Sequence, residues 1–343
     1  MEISVKAAGE SCVEVKKEAD LCFYLGIEED EVEEKSLKLS QFDPEATDGE
    51  LGESEVLDNH ESKPSIGAAA AVVKYSKDWA LSSKLSIDID AQKDYQKLVS
   101  DDYYVIKKMG DGGHGVVVAA VNKTTGCLVA IKIQERSKEN RKEAEILQLL
   151  DHPSITHFIS YEVLDAYSII VMELAISGSL QDIIEDEKKD IKEMEIKRIT
   201  TGLLRGLAYL ESMSVVWLDM KPDNILMKNG QPILADFGLS MRYEELNKEQ
   251  VAVGTPGFAA PEVAVHGRPH VRSDIFSLGA TIVTMIKRLR PDQRKIQTKG
   301  FADLNIHIYM ESEGLNDFLI QCLEINPNNR PSAEELLDHF WLK

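Results

Sequence analysis

The sequence predicts an α+β protein of two lobes: a small one built on a five-stranded antiparallel sheet with one helix, and a larger, mainly helical one. Three observations carry this. From Tyr103 onward, β-branched runs of strand length follow one another, punctuated by glycines and turn residues. Beyond Leu174 the apolar residues recur instead at steps of three and four. Before Tyr103 the chain is acidic and poor in core-forming residues.

Residues 1–66 read as a disordered acidic region, of which EEDEVEEK is typical. The first 60 residues hold 18 acidic and 5 basic side chains, so −13 of the net charge of −20 sits there. Only LCFYLGI, residues 21–27, has much to bury, as a short docking motif or a transient hydrophobic cluster. Residues 67–102 contain better helix formers and a tryptophan, and read as a linker or a docking helix. This charge argues against nucleic-acid binding, because phosphates would be repelled. It suits either a solvated tail or a basic partner for the N-terminal region.

The hydrophobic fraction of 43% is enough for a sizeable core. No apolar run approaches the roughly 20 residues of a membrane helix, so no membrane partner is expected. The charged start has no apolar signal region. Cys12, Cys22, Cys127 and Cys322 form no CxxC pair and have no histidine at zinc spacing. A cytoplasmic protein with reduced thiols is the expectation.

DYYVIKKM, GVVVAAVN and CLVAIKIQ read as three strands, the second pair joined by the turn NKTTG. RKEAEILQLL reads as the helix, and HFISYEVL and YSIIVMEL as two more strands joined at Asp165-Ala166. Ile196, Ile199, Leu203, Leu207 and Leu210 define one face of an amphipathic helix. DIFSLGATIVTMI is apolar nearly all round and reads as a buried helix. In NRPSAEELLDHFWL, proline then serine ahead of an apolar-periodic run marks a helix start.

Several motifs sit on these elements. Gly110-Asp111-Gly112-Gly113-His114-Gly115-Val116-Val117 fits G-x-G-x-x-G-x-V, where missing side chains let backbone N–H groups approach phosphates. Glycines between strands can also be a plain hairpin. The loop lies between strands rather than opening a helix, which argues against a dinucleotide-binding turn. Lys132 of Val129-Ala130-Ile131-Lys132 lies inside an apolar strand and should face a pocket. Met172-Glu173-Leu174-Ala175 ends the fifth strand, and on its own reads equally as an edge strand running into a loop. Asp219 is followed five residues later by Asn224, and twelve residues after that comes Asp236-Phe237-Gly238 behind the strand-like QPILA.

Together with Gly254-Thr255-Pro256-Gly257-Phe258-Ala259-Ala260-Pro261-Glu262 and Arg330, these motifs resemble the eukaryotic-type protein kinase family over residues 103–342. The resemblance implies the two-lobed kinase fold, ATP and Mg2+ as cofactors, and protein substrates phosphorylated on Ser or Thr. Thr255 with Lys221 is the serine/threonine pattern. Asp219 would be the catalytic base, Lys221 would neutralise the moving phosphoryl group, and Asn224 and Asp236 would hold the metal. Lys132 would grip the α- and β-phosphates, paired with a helix glutamate. Counting back nine from His152 gives Glu143, which shares a face with Leu147 and Leu150; Glu145 is the alternative. Adenine would meet the backbone of Glu173 and Ala175, with Met172 behind it. Met109, Ala130 and Leu226 join residues 110–117 in the nucleotide site.

The sequence departs from the family where the catalytic loop opens Trp217-Leu218-Asp219 instead of His-Arg-Asp. Trp217 should fill the histidine's place against Phe237. Leu218 cannot receive an activation-loop phosphate, so activation by that route is not expected. A pseudokinase acting as a nucleotide-binding scaffold or interaction protein is the alternative class.

Overall fold

The computed structural model describes residues 90, 94–112, 115–164, 166–175, 177–186, 188, 190–246, 254–288 and 312–343. The expectations for residues 1–66, and for most of 67–102, lie outside the described residues. Strands β1 (Tyr103–Gly112), β2 (Gly115–Asn122), β3 (Leu128–Glu135), β4 (Phe158–Leu164) and β5 (Tyr167–Glu173) form one sheet in the order β1-β2-β3-β5-β4. Helix α1 (Lys138–Leu147) lies between β3 and β4 in the chain. The mainly helical remainder holds α2 (Leu180–Glu185), α3 (Glu193–Ser212), α4 (Pro261–Ala264), α5 (Ser273–Lys287), α6 (Glu313–Cys322) and α7 (Ala333–Leu337). Short strand pairs add β6 (Val215–Val216) with β9 (Met241–Arg242), and β7 (Ile225–Lys228) with β8 (Gln231–Leu234).

The described chain divides into two compact units. The first holds residues up to Gly110 together with Val117–Val129. A small apolar cluster within it joins Tyr104, Ile106 and Val121 to Leu128. The turn at NKTTG is tied by the Asn122 side chain, whose Oδ1 accepts the N–H groups of Thr124 at 3.0 Å and Thr125 at 2.9 Å. Ahead of β1, Gln96 sits in a single 3-10 turn, Gln96–Leu98. Its side chain donates to the Tyr103 carbonyl and accepts from the Val105 N–H, both at 2.9 Å, so it serves as a strand partner.

The second unit holds Asp111–Val116 and everything from Ala130 on. Its core runs without a break from Ala144, Ile146 and Leu147 of α1, through one face of α3, to α5, α6 and Trp341. The α3 residues picked out by period, Ile196, Ile199, Leu203, Leu207 and Leu210, are all buried. Helix α5 is buried over Ser273–Met285, and only glycine fits at Gly279: a Cβ there would come within 2.8 Å of Leu323 and 2.9 Å of Cys322. Serines start four helices: Ser137, Ser179, Ser312 and Ser332 each accept a backbone N–H of the first turn. Ser179 and Ser332 form full capping boxes with Asp182 and Glu335. Helix α1 starts at Lys138, earlier than its apolar period shows, because Ser137 caps it. The last run is shorter than expected: α7 ends at Leu337, and Phe340–Leu342 form a separate 3-10 turn.

Candidate active site

Two buried charged clusters lie within the second unit. In the first, Lys132 on β3 places its Nζ 2.7 and 2.8 Å from the two carboxylate oxygens of Glu143 and 2.9 Å from Oδ1 of Asp236. Lys132 and Glu143 are 4% and 2% exposed, so both charges have left water and depend on each other. Burial alone would lower the Lys132 pKa; the carboxylates of Glu143 and Asp236 outweigh it and hold it above its ordinary value. Glu145 points elsewhere, to Arg141 at 2.9 Å on the exposed face of α1. Asp236 takes a left-handed backbone, φ +59°, and its Oδ1 also accepts the Gly238 N–H at 3.2 Å. Such a conformation in a residue with a side chain costs about 1–3 kcal/mol and persists only where neighbours impose it.

The second cluster surrounds Asp219, which is 3% exposed. Its Oδ1 accepts the Thr255 hydroxyl at 2.8 Å, and its Oδ2 accepts Lys221 Nζ at 3.0 Å and Asn224 Nδ2 at 2.6 Å. Lys221 also donates to the Thr255 hydroxyl oxygen at 2.9 Å, which closes a ring of Asp219, Lys221 and Thr255. Asn224 Nδ2 donates a second bond to the Asp219 carbonyl at 3.0 Å. Its donors thus turn toward Asp219, and its Oδ1 is a hard oxygen acceptor of the kind Mg2+ takes; the carboxylate of Asp236 has oxygens of the same kind. The donor chemistry of Asn224 and Asp236 therefore fits that ion. Among the described residues no group of three or more His, Cys, Asp and Glu could hold a metal.

Trp217 and Leu218 connect the clusters by packing and backbone. Trp217 is fully buried and stacks on Phe237, centroids 5.9 Å apart and planes at 29°. Its indole Nε1–H donates to the Asp236 carbonyl at 2.9 Å. Stacking is legible from the sequence; this hydrogen bond is not, because it depends on which edge of the ring faces the left-handed residue. Leu218 is buried in the apolar core with φ +68°. The backbone N–H groups of Trp217 and Leu218 both donate to the carboxylate of Asp274 on α5, at 2.7 and 2.8 Å. Burial pushes the Asp274 carboxyl up to about 6 against the pull of these two bonds.

Arg330 and Glu262, both among the motifs that carry the family resemblance, pair with each other. Arg330 grips Glu262 bidentately at 2.6 and 2.7 Å, and also donates to the carbonyls of Glu324, Ile325 and Arg272. Burial would raise Glu262, but the Arg330 bonds hold its carboxyl below the usual range. Ser273 adds a third bond to Glu262 at 2.7 Å.

The remaining candidates are placed as follows. Ala130 is buried on β3, and Met172 and Glu173 end β5, followed by Ala175. Glu173 is held through its side chain by Lys228 at 2.5 Å, an ion pair with no sequence signal. Leu226 lies on β7 opposite Ile233. Asp111 and Gly112 end β1, and Gly115 and Val116 begin β2. Gly115 has φ +113°, and a Cβ there would fall 2.4 Å from the Ile133 carbonyl, so the position is closed to any side chain. Met109, Gly110 and Val117 belong to the first unit, and Gly113 and His114 lie outside the described residues.

The family model for the protein kinase domain matches residues 103–342, and the chain belongs to that family. It is 33% identical over 259 residues to the serine/threonine-protein kinase dst1 of Dictyostelium discoideum, covering 70% of this chain and 34% of that protein. It is 32% identical over 256 residues to the serine/threonine-protein kinase pakF of the same organism, covering 71% of this chain and 22% of that protein. Against the serine/threonine-protein kinase TAO3 of Xenopus laevis it is 33% identical over 273 residues, covering 74% and 30%. The chain thus spans about a fifth to a third of the length of these curated relatives. The family uses ATP and Mg2+ and acts on proteins. Among the described residues no helix is long and apolar enough to cross a membrane.

Proposed function

We propose that the chain is a serine/threonine protein kinase that transfers the γ-phosphate of ATP to Ser or Thr hydroxyls of protein substrates. The observation that carries this is the closed ring around Asp219. A buried carboxylate whose two oxygens are oriented by Lys221, Thr255 and Asn224 is set to receive a proton from a hydroxyl in one direction. The substrate oxygen forms a bond to the γ-phosphorus as the bond to the bridging oxygen of ADP breaks, and the hydroxyl proton passes to Asp219. Lys221 neutralises charge on the group in transit. Lys132, fixed by Glu143, binds the α- and β-phosphates. Asn224 and Asp236 would hold Mg2+, which when bound would supply charge neutralisation on the phosphates. Within the second unit, Asp111, Gly112, Gly115, Val116, Ala130, Met172, Glu173, Ala175 and Leu226 would bind the nucleotide.

Trp217 and Leu218 are compatible with this chemistry because neither side chain enters the Asp219 ring. The indole holds Asp236 from behind, and Leu218 fills apolar space. The test is transfer of labelled γ-phosphate from Mg-ATP to mixed Ser/Thr peptides, with Asp219→Asn in parallel. Turnover that disappears in the variant supports the kinase reading. A folded chain with no turnover above the variant would leave a nucleotide-binding scaffold instead.

A further inference from the structure

The segment that follows Asp236-Phe237-Gly238 is tied to α1 by a fixed carboxylate. Strand β9 pairs with β6, the Tyr243 N–H donates to the Ser214 carbonyl at 2.9 Å, and a 3-10 turn runs over Tyr243–Glu245. Glu245 folds back on this turn, its Oε2 accepting the Arg242 N–H at 3.0 Å. The same oxygen lies 2.7 Å from Nζ of Lys142 on α1. The two side chains are 34% and 31% exposed, so the pair is neither buried nor freely solvated. Lys142 adjoins Glu143, about 100° around the helix, so one turn of α1 grips Lys132 inward and the post-Gly238 segment at its rim.

This is the task an added phosphate commonly performs: an anion on the loop draws in a cation and orders the catalytic parts. Here the sites for such an anion are poor. Leu218 offers no cation, Ser240 is buried with its hydroxyl on the Trp217 carbonyl at 3.3 Å, and the Thr255 hydroxyl is enclosed between Asp219 and Lys221. We propose that Glu245 is a built-in anion that replaces the loop phosphate, and that the Lys142–Glu245 pair is a positioning device that holds α1, and with it Glu143, toward Lys132. An ordinary ion pair at this exposure has little effect, because two flexible side chains must be ordered to make it. The Arg242 N–H bond reduces that cost, since it holds the Glu245 carboxylate in place before Lys142 arrives.

The inference rests on the kinase reading above, and its test separates the two. Full-length chain is treated with phosphatase and shown by intact mass to carry no phosphate. Lys142→Met, Glu245→Gln, their double variant and Lys142→Arg are compared in peptide phosphorylation and in amide hydrogen exchange of α1. Glu245→Gln keeps an amide oxygen that can accept from Arg242 and removes the negative charge. Phosphate-free wild type should be active, and each single loss should lower kcat/KM about three- to five-fold and speed α1 exchange by a similar factor. The double variant should be no worse than either single one, and Lys142→Arg should stay near wild type. Unchanged α1 exchange, additive losses in the double variant, or an absolute need for loop phosphate would overturn the proposal. If wild type turns over no faster than Asp219→Asn, the kinase reading falls, and the exchange measurements still decide whether the pair holds α1.

Discussion

Within the catalytic loop, residues 217–218 and residues 219–224 are held in opposite ways. Trp217 and Leu218 are anchored mainly by backbone: Asp274 takes both N–H groups, the side chains lie in the apolar core, and the Trp217 indole adds one bond to the Asp236 carbonyl. Asp219, Lys221 and Asn224 are anchored by side chain, each bonded to another member of the ring. A position held by its backbone can change its side chain if the new one packs. A position held by its side chain cannot. The two departures from the family pattern fall in the first kind of position, and the groups assigned to the chemistry fall in the second.

The largest effect is expected in the side-chain-held part. Asp219→Asn removes the proposed base and should lower kcat about 1000-fold with the fold intact, as read by peptide phosphorylation and by circular dichroism. In the backbone-held part, restoring the family's arginine should harm rather than help. Leu218→Arg puts a cation into apolar core and should destabilise by about 2–4 kcal/mol in denaturant unfolding, with no gain in turnover. Trp217→Phe keeps the ring over Phe237 and removes the indole donor. It leaves the Asp236 carbonyl without that bond and should cost about 1–3 kcal/mol. Its functional signature is a raised Mg2+ requirement, because the residue acts through Asp236.

The smallest effect concerns Asp274. Burial sets its folded pKa at about 6, above the ordinary carboxylate range, so the folded chain holds a proton there that the unfolded chain has lost. Stability from this group is complete at low pH and is lost as pH rises through about 6. Relative to Asp274→Asn, the wild-type melting temperature should therefore gain a few degrees between about pH 7 and about pH 5.

Much of this was legible in the sequence because it rests on local pattern. The strand runs, the faces of α1, α3 and α5, and the choice of Glu143 over Glu145 all follow from periodicity or from counting along one helix. Arg330 with Glu262 was legible through the family resemblance. The rest depends on encounters between distant residues of common types. Nothing in the sequence distinguishes Lys142 from the other lysine of α1, Lys138, or Glu245 from Glu244, until the fold brings them together. The two-residue strands β6 and β9 are too short to show a period. The Trp217 donor is invisible because a tryptophan in an apolar run announces only bulk.

In the proposed reading the ring around Asp219 does the chemistry, and Trp217 supports it only by position. The most direct test is kcat for Trp217→His beside Asp219→Asn, on the same peptide and at saturating Mg-ATP. The account predicts that Trp217→His stays within about ten-fold of wild type, since the packing site survives, while Asp219→Asn falls about 1000-fold. Equal losses in the two variants, or full activity in Asp219→Asn, would contradict it.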